Sequence, residues 1–146
     1  MKGTQTLFSS ASEEWETPQE FYDELNAEFG FTLDPCATDE NHKCKNYFTR
    51  DQDGLKMDWG GEQRVFCNPP YGRKLKEWVA KCYSEGHKDN TLVVMLIPAR
   101  TDTRWYHDYI QHRAEVRFIR GRLKFGGATG NAPFPNMLVI YRAPGM

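Results

Sequence analysis

Long apolar runs are missing from this chain. No stretch of its 146 residues approaches the roughly 20 apolar residues that a membrane-spanning helix needs. The amino-terminal segment holds one apolar pair, Leu7-Phe8, and so lacks the apolar core of a secretory signal. A cytoplasmic protein without a membrane partner is expected. The four cysteines, Cys36, Cys44, Cys67 and Cys82, form no CxxC pair. Cys36, His42 and Cys44 match no common zinc spacing, so no metal is expected and the cysteines read as reduced and structural. Internal repeats and linkers are absent, and a hydrophobic content of 39% suits one ordinary globular core.

A dominant charge is absent too, since the formal net charge is −1. The balance hides an asymmetry. Residues 1–62 carry 14 acidic and 5 basic side chains, whereas residues 100–146 carry 3 acidic and 8 basic. The basic half suits a polyanion such as nucleic acid, although an unevenly charged, solvated surface gives the same count.

What is present is an alternation of helical and extended patterns. Residues 1–14 are polar and read as a flexible tail, with a single domain over 15–146. Thr17 suits a helix N-cap and Pro18 a first helical residue. Phe21, Tyr22, Leu25 and Phe29 then recur at helical spacing up to Gly30. Phe31 to Leu33 reads as a strand that Asp34-Pro35 ends. Residues 38–63 look irregular, with Tyr47-Phe48 and Leu55–Met57 as weak strand candidates. Val65–Cys67 is a strand, Leu75, Trp78, Val79 and Cys82 mark a helix, and Thr91–Ile97 is a strand apolar on both faces. A helix over 101–111, capped by Thr101 or Asp102, precedes strands at 116–119 and 137–141. The pattern predicts an α/β sheet, mostly parallel, with helices on both faces and an antiparallel last strand.

Asn68-Pro69-Pro70-Tyr71 follows the strand at 65–67. Two prolines cannot continue a sheet, so the chain leaves it as a stiff turn. That turn offers an amide oxygen, a proline carbonyl and an aromatic face, a set that suits a planar substrate bearing an NH2 group. By itself the motif is also compatible with a rigid turn in which Tyr71 fills the core.

With Trp15-Glu16-Thr17-Pro18, Leu33-Asp34-Pro35-Cys36-Ala37, Asp58-Trp59, Arg104-Trp105-Tyr106-His107 and Gly121-Arg122-Leu123-Lys124-Phe125 in order around it, the chain resembles the phage-type DNA N6-adenine methyltransferases. These enzymes use S-adenosylmethionine (SAM). The resemblance implies a Rossmann-like methyltransferase sheet and a double-stranded DNA partner. It implies a flipped-out adenine held by Asn68, Pro69, Pro70 and Tyr71. It places the SAM methionine end near Thr17, Pro18, Asp34, Pro35, Cys36 and Ala37, and the SAM adenine near Asp58 and Trp59. Local chemistry alone gives Thr17 a capping role and makes Asp34 and Asp58 turn initiators. The chain departs from many SAM enzymes in lacking a glycine-rich fingerprint after Asp34, for which the late run Gly126–Gly130 is no substitute.

Arg100, Arg104, Trp105, Arg120, Arg122 and Lys124 are the DNA-contact candidates, the cations for phosphates and the aromatic for stacking. Trp105 on a helix core face and Phe125 as a loop anchor are the structural alternatives. Two rival functions share the motif: a methyltransferase acting on RNA adenine or a protein glutamine amide, and a DNA-binding relative without turnover. No large target-recognition domain is expected, so site choice falls to the loop at 121–136 and the segment at 38–63.

Overall fold

The structure is a computed structural model that describes residues 15–125 and 132–144; the tail at 1–14 and the glycine run at 126–130 lie outside them. In chain order the elements are α1 (Gln19–Phe29), β1 (Leu33–Ala37), β2 (Asn46–Thr49), β3 (Arg64–Cys67), α2 (Leu75–Glu85), β4 (Leu92–Pro98), α3 (Arg104–Tyr109), β5 (Glu115–Phe118) and β6 (Asn136–Arg142). The six strands form one sheet in the order β2-β1-β3-β4-β6-β5. β2, β1, β3 and β4 are mutually parallel, and β6 enters antiparallel between β4 and β5. This is the mixed, mostly parallel α/β sheet that the alternating pattern predicts.

Helices cover both faces because successive strand residues point to opposite sides. On one face Phe66 of β3 meets Tyr22 of α1, edge to face, at 5.2 Å between ring centroids. On the other, Cys67 packs near Cys82 of α2. β4 lies at the centre and is buried along its whole length. That explains its unbroken apolar run.

Three local expectations are corrected. The first strand does not stop at Asp34-Pro35 but runs through both to Ala37. Proline has no N–H to give a ladder, and it is tolerated here because the β1–β2 register is irregular between Asp34 and Ala37. Leu55–Met57 is a turn, not a strand, whereas Tyr47-Phe48 does lie in β2. Thr103, rather than Thr101 or Asp102, caps α3 by accepting from the Tyr106 amide.

The sheet order reverses between β1 and β3. From β1 the chain goes outward to β2, then returns past β1 to β3. Such a switch point opens a crevice beyond the carboxyl ends of the strands, where ligands of open α/β sheets bind. Asn68 follows β3 directly, and Asp34–Ala37 forms the end of β1.

Candidate active site

Asn68 is held from the segment that precedes α1. Its side-chain nitrogen donates to Thr17 Oγ1 at 2.9 Å and to the backbone carbonyl of Trp15. Its Oδ1 is buried and has no hydrogen-bond partner among the described residues. An unsatisfied buried acceptor costs about 1–3 kcal/mol, so such an atom asks for a reason. Thr17, the expected cap of α1, makes no cap hydrogen bond; the N-cap position belongs to Pro18, in an extended conformation. Thr17 is buried, and its hydroxyl serves Asn68 instead.

Tyr71 is buried as well. Its hydroxyl donates to the Leu96 carbonyl at 3.0 Å, and Asn136 Nδ2 approaches the same oxygen at 3.5 Å. Phe125 and Phe134 lie edge-on to its ring, at centroid distances of 6.3 and 5.6 Å. Trp15 meets the same two phenylalanines at 5.5 and 5.4 Å. Two sequence-remote arms therefore close over the Asn68–Tyr71 turn: the segment before α1 and the chain on either side of residues 126–131. Neither Phe134 nor this aromatic cluster was visible as a site from the sequence, because its members are scattered between positions 15 and 134.

Asp34 is buried, with Oδ1 accepting from the Cys36 amide at 3.1 Å and Oδ2 from the Lys43 amide at 2.9 Å. The carboxylate thereby shapes the turn after β1. Burial raises its pKa, and the two backbone hydrogen bonds oppose that rise. Cys36 Sγ sits 3.6 Å from Cys67 Sγ, joining the β1 turn to the residue before Asn68. Burial pushes the Cys36 thiol up to about 11, so it is neutral at physiological pH. Gly54 seals this corner from the side: a Cβ there would lie 2.4 Å from the Pro35 carbonyl oxygen.

Asp58 stands elsewhere, while its neighbour Trp59 reaches back to Gly54. Asp58 is exposed and pairs with Lys88 at 2.7 Å. Lys88 precedes β4 and Asp58 precedes β3, so the pair marks the amino edge of the parallel strands, opposite Asn68. The Trp59 indole N–H donates to the Gly54 carbonyl at 2.9 Å, and Lys81 lies 5.4 Å from the centre of its ring. Trp59 thus holds the chain at 54–59 against α2. Asp58 is not brought to the crevice beside Asn68, against the expectation that it meets the cofactor adenine, whereas Trp59 is tied to Gly54, the glycine packed against the Pro35 carbonyl.

Arg100, Arg104, Arg120, Arg122 and Lys124 are all exposed, while Trp105 packs partly against the core. β5 and β4 each pair antiparallel with β6 and so run in the same direction. Its carboxyl end, followed by Arg120, Arg122 and Lys124, therefore faces the same edge as Asn68. Phe118 lies there too and is 66% exposed. The sequence pattern missed it because a single phenylalanine in a strand reads as core. His107 bonds Gln111 at 2.8 Å. Among the described residues no group of metal-ligating side chains assembles, and no helix is long and apolar enough to cross a membrane.

Comparison with known proteins gives a consistent family. A family profile described as "DNA N-6-adenine-methyltransferase (Dam)" matches residues 4–143. A DNA N-6-adenine-methyltransferase of Escherichia phage T1 is 32% identical over 123 residues, which cover 84% of this chain and 50% of the relative. One of Haemophilus phage HP1 is 32% identical over 135 residues, covering 87% of this chain and 77% of that relative. The chain thus spans about half the length of the first relative and about three quarters of the second.

Proposed function

The chain belongs to the DNA N-6-adenine-methyltransferase (Dam) family, and on that premise we propose that it transfers a methyl group to the N6 amine of adenine in double-stranded DNA. The observation that carries this reading is the buried, unpartnered Oδ1 of Asn68 beside a switch-point crevice. An adenine amine is a poor nucleophile because its lone pair is conjugated with the ring. Asn68 Oδ1 and the Pro69 carbonyl would accept its two N–H bonds, favouring a tetrahedral nitrogen with a localised lone pair. Both acceptors gain strength as positive charge develops on that nitrogen, so they stabilise the transition state more than the ground state. Asn68 is neutral and takes no proton; the proton leaves to water.

SAM supplies the electrophilic methyl group when bound. The residues at the crevice fit its methionine end. The Thr17 oxygen accepts from Asn68 but its proton remains available to a carboxylate. Asp34, held within β1, retains acceptor capacity beyond its two backbone hydrogen bonds and suits an ammonium group. Pro18, Pro35, Cys36 and Ala37 would shape that pocket.

The DNA surface is the carboxyl edge of the sheet, with Arg100, Arg104, Arg120, Arg122 and Lys124 on phosphates. Trp105 and Phe118 would meet bases. A flipped adenine reaches Asn68 and stacks on Tyr71 once Phe125 and Phe134 yield the space they fill. The protein would act wherever SAM and DNA meet, in the host cytoplasm if it is phage-encoded.

The test is incubation with labelled SAM and unmethylated duplex DNA, followed by digestion to nucleosides. Label in N6-methyladenine, lost in Asn68→Ala, supports the reading. Label absent from that nucleoside while SAM binds overturns it, and RNA and protein acceptors in parallel reveal a different substrate.

A further inference from the structure

The amide of Asn68 has two ends, and its surroundings distinguish them. A backbone carbonyl accepts hydrogen bonds and never donates them. Because the Trp15 carbonyl faces this amide, the nitrogen must be the end turned toward it. The same nitrogen has Thr17 Oγ1 at 2.9 Å. The two N–H bonds of the amide are thus both engaged by the segment before α1, and the oxygen is turned the other way, buried and without a partner among the described residues.

We infer that Thr17 is a positioning residue for Asn68: its hydroxyl, with the Trp15 carbonyl, holds the amide nitrogen so that Oδ1 stays aimed at the incoming amine. The inference rests on the proposed role of Asn68. It accounts for Thr17 being buried yet leaving the helix cap unmade. Without the hydroxyl, one N–H of a part-buried amide loses its acceptor, and a single remaining hydrogen bond lets the amide rock about its last torsion. An acceptor that rocks must be reoriented at the moment of transfer, which is the cost that preorganisation removes. The hydroxyl acts from a position 51 residues away in sequence, so no local pattern would reveal it. Because the same hydroxyl keeps its proton for the cofactor, Thr17 joins the methyl-donor pocket to the amine acceptor through one oxygen.

Thr17→Val removes the hydroxyl at nearly constant shape, and Thr17→Ser keeps it. With SAM and DNA both saturating, cofactor affinity no longer enters kcat. Under those conditions kcat falls about tenfold or more in Thr17→Val, the size expected for loss of preorganised transition-state contact, and stays near wild type in Thr17→Ser. The second reading needs no turnover. In nitrogen-15 NMR spectra of cofactor-free protein, both Nδ2 protons of Asn68 exchange slowly. They shift and exchange faster in Thr17→Val, and are unmoved in Thr17→Ser. An intact kcat in Thr17→Val, or an Asn68 side-chain signal indifferent to it, overturns the inference. So do fast-exchanging Asn68 side-chain protons in the wild type, which decide the matter even if Thr17→Val fails to fold. If the wild-type protein methylates no adenine, the functional reading fails, while the NMR comparison still decides whether Thr17 holds Asn68.

Discussion

Tyr71 donates its hydroxyl proton to the Leu96 carbonyl at 3.0 Å, tying the Asn68–Tyr71 turn to the central strand β4. The bond fixes where the ring stands, while the ring face does the chemistry proposed for it.

Two Tyr71 variants separate those roles. Tyr71→Phe loses one buried hydrogen bond and should cost about 0.5–1.5 kcal/mol of stability, read from the urea midpoint. Its methyl transfer stays near wild type, since the planar face remains. Tyr71→Leu removes that face and lowers turnover about tenfold or more, because base–aromatic stacking is worth about 1–3 kcal/mol. Equal turnover in the two variants would remove stacking from the mechanism.

Gly54→Ala probes the wall of the proposed cofactor pocket. The new Cβ would stand 2.4 Å from the Pro35 oxygen and 2.8 Å from Trp78 Cη2, so the β1 turn or the 50–55 turn must move. Overpacking of this kind costs about 1–3 kcal/mol. SAM affinity by calorimetry should fall with it, and an unchanged affinity would show that Asp34–Ala37 is not part of the cofactor site.

Paired replacement of Arg122 and Lys124 by Ala addresses the DNA edge. Each phosphate contact contributes about 0.9 to the slope of log affinity against log salt, so the double variant should be flatter by about 1.8. SAM binding is expected to be untouched. A slope identical to wild type would move the DNA path away from the 121–125 segment.

Acid stability has a defined source at the sheet edge. Arg117 binds both oxygens of Glu28 at 2.8 and 2.7 Å and reaches Glu115 at 2.6 Å. The Arg117 hydrogen bonds hold both carboxylates below their ordinary pKa. A depressed folded pKa means stabilisation present above the unfolded value, about 4.3, and lost as pH falls through the folded one. The groups are well exposed, so the pair is worth under about 1 kcal/mol and is screened by salt. The stability gap between wild type and Arg117→Ala should therefore close below about pH 4 and narrow in high salt. A gap that persists at pH 2 would mean that Arg117 acts by packing against Phe29, which it overlies at 5.4 Å.

The sequence determined the parts of this protein that rest on local rules. The apolar run of β4 needs burial on two faces, the Pro69-Pro70 pair must leave the sheet, and helical spacing at Tyr22, Leu25 and Phe29 must present one face to it. The ordered motifs carried the family for the same reason: each is a short segment whose residue types are constrained by neighbours in the chain. Only the tertiary structure decided the partners. Thr17 looked like a cap and proved to hold Asn68; Asp58 looked like a cofactor ligand and proved to pair with Lys88 at the far edge; Asp34 looked like a strand stop and lies within the strand. A hydroxyl or carboxylate bonds whichever complementary group the fold brings within about 3 Å, and that distance is set by sheet order and packing rather than by spacing along the chain.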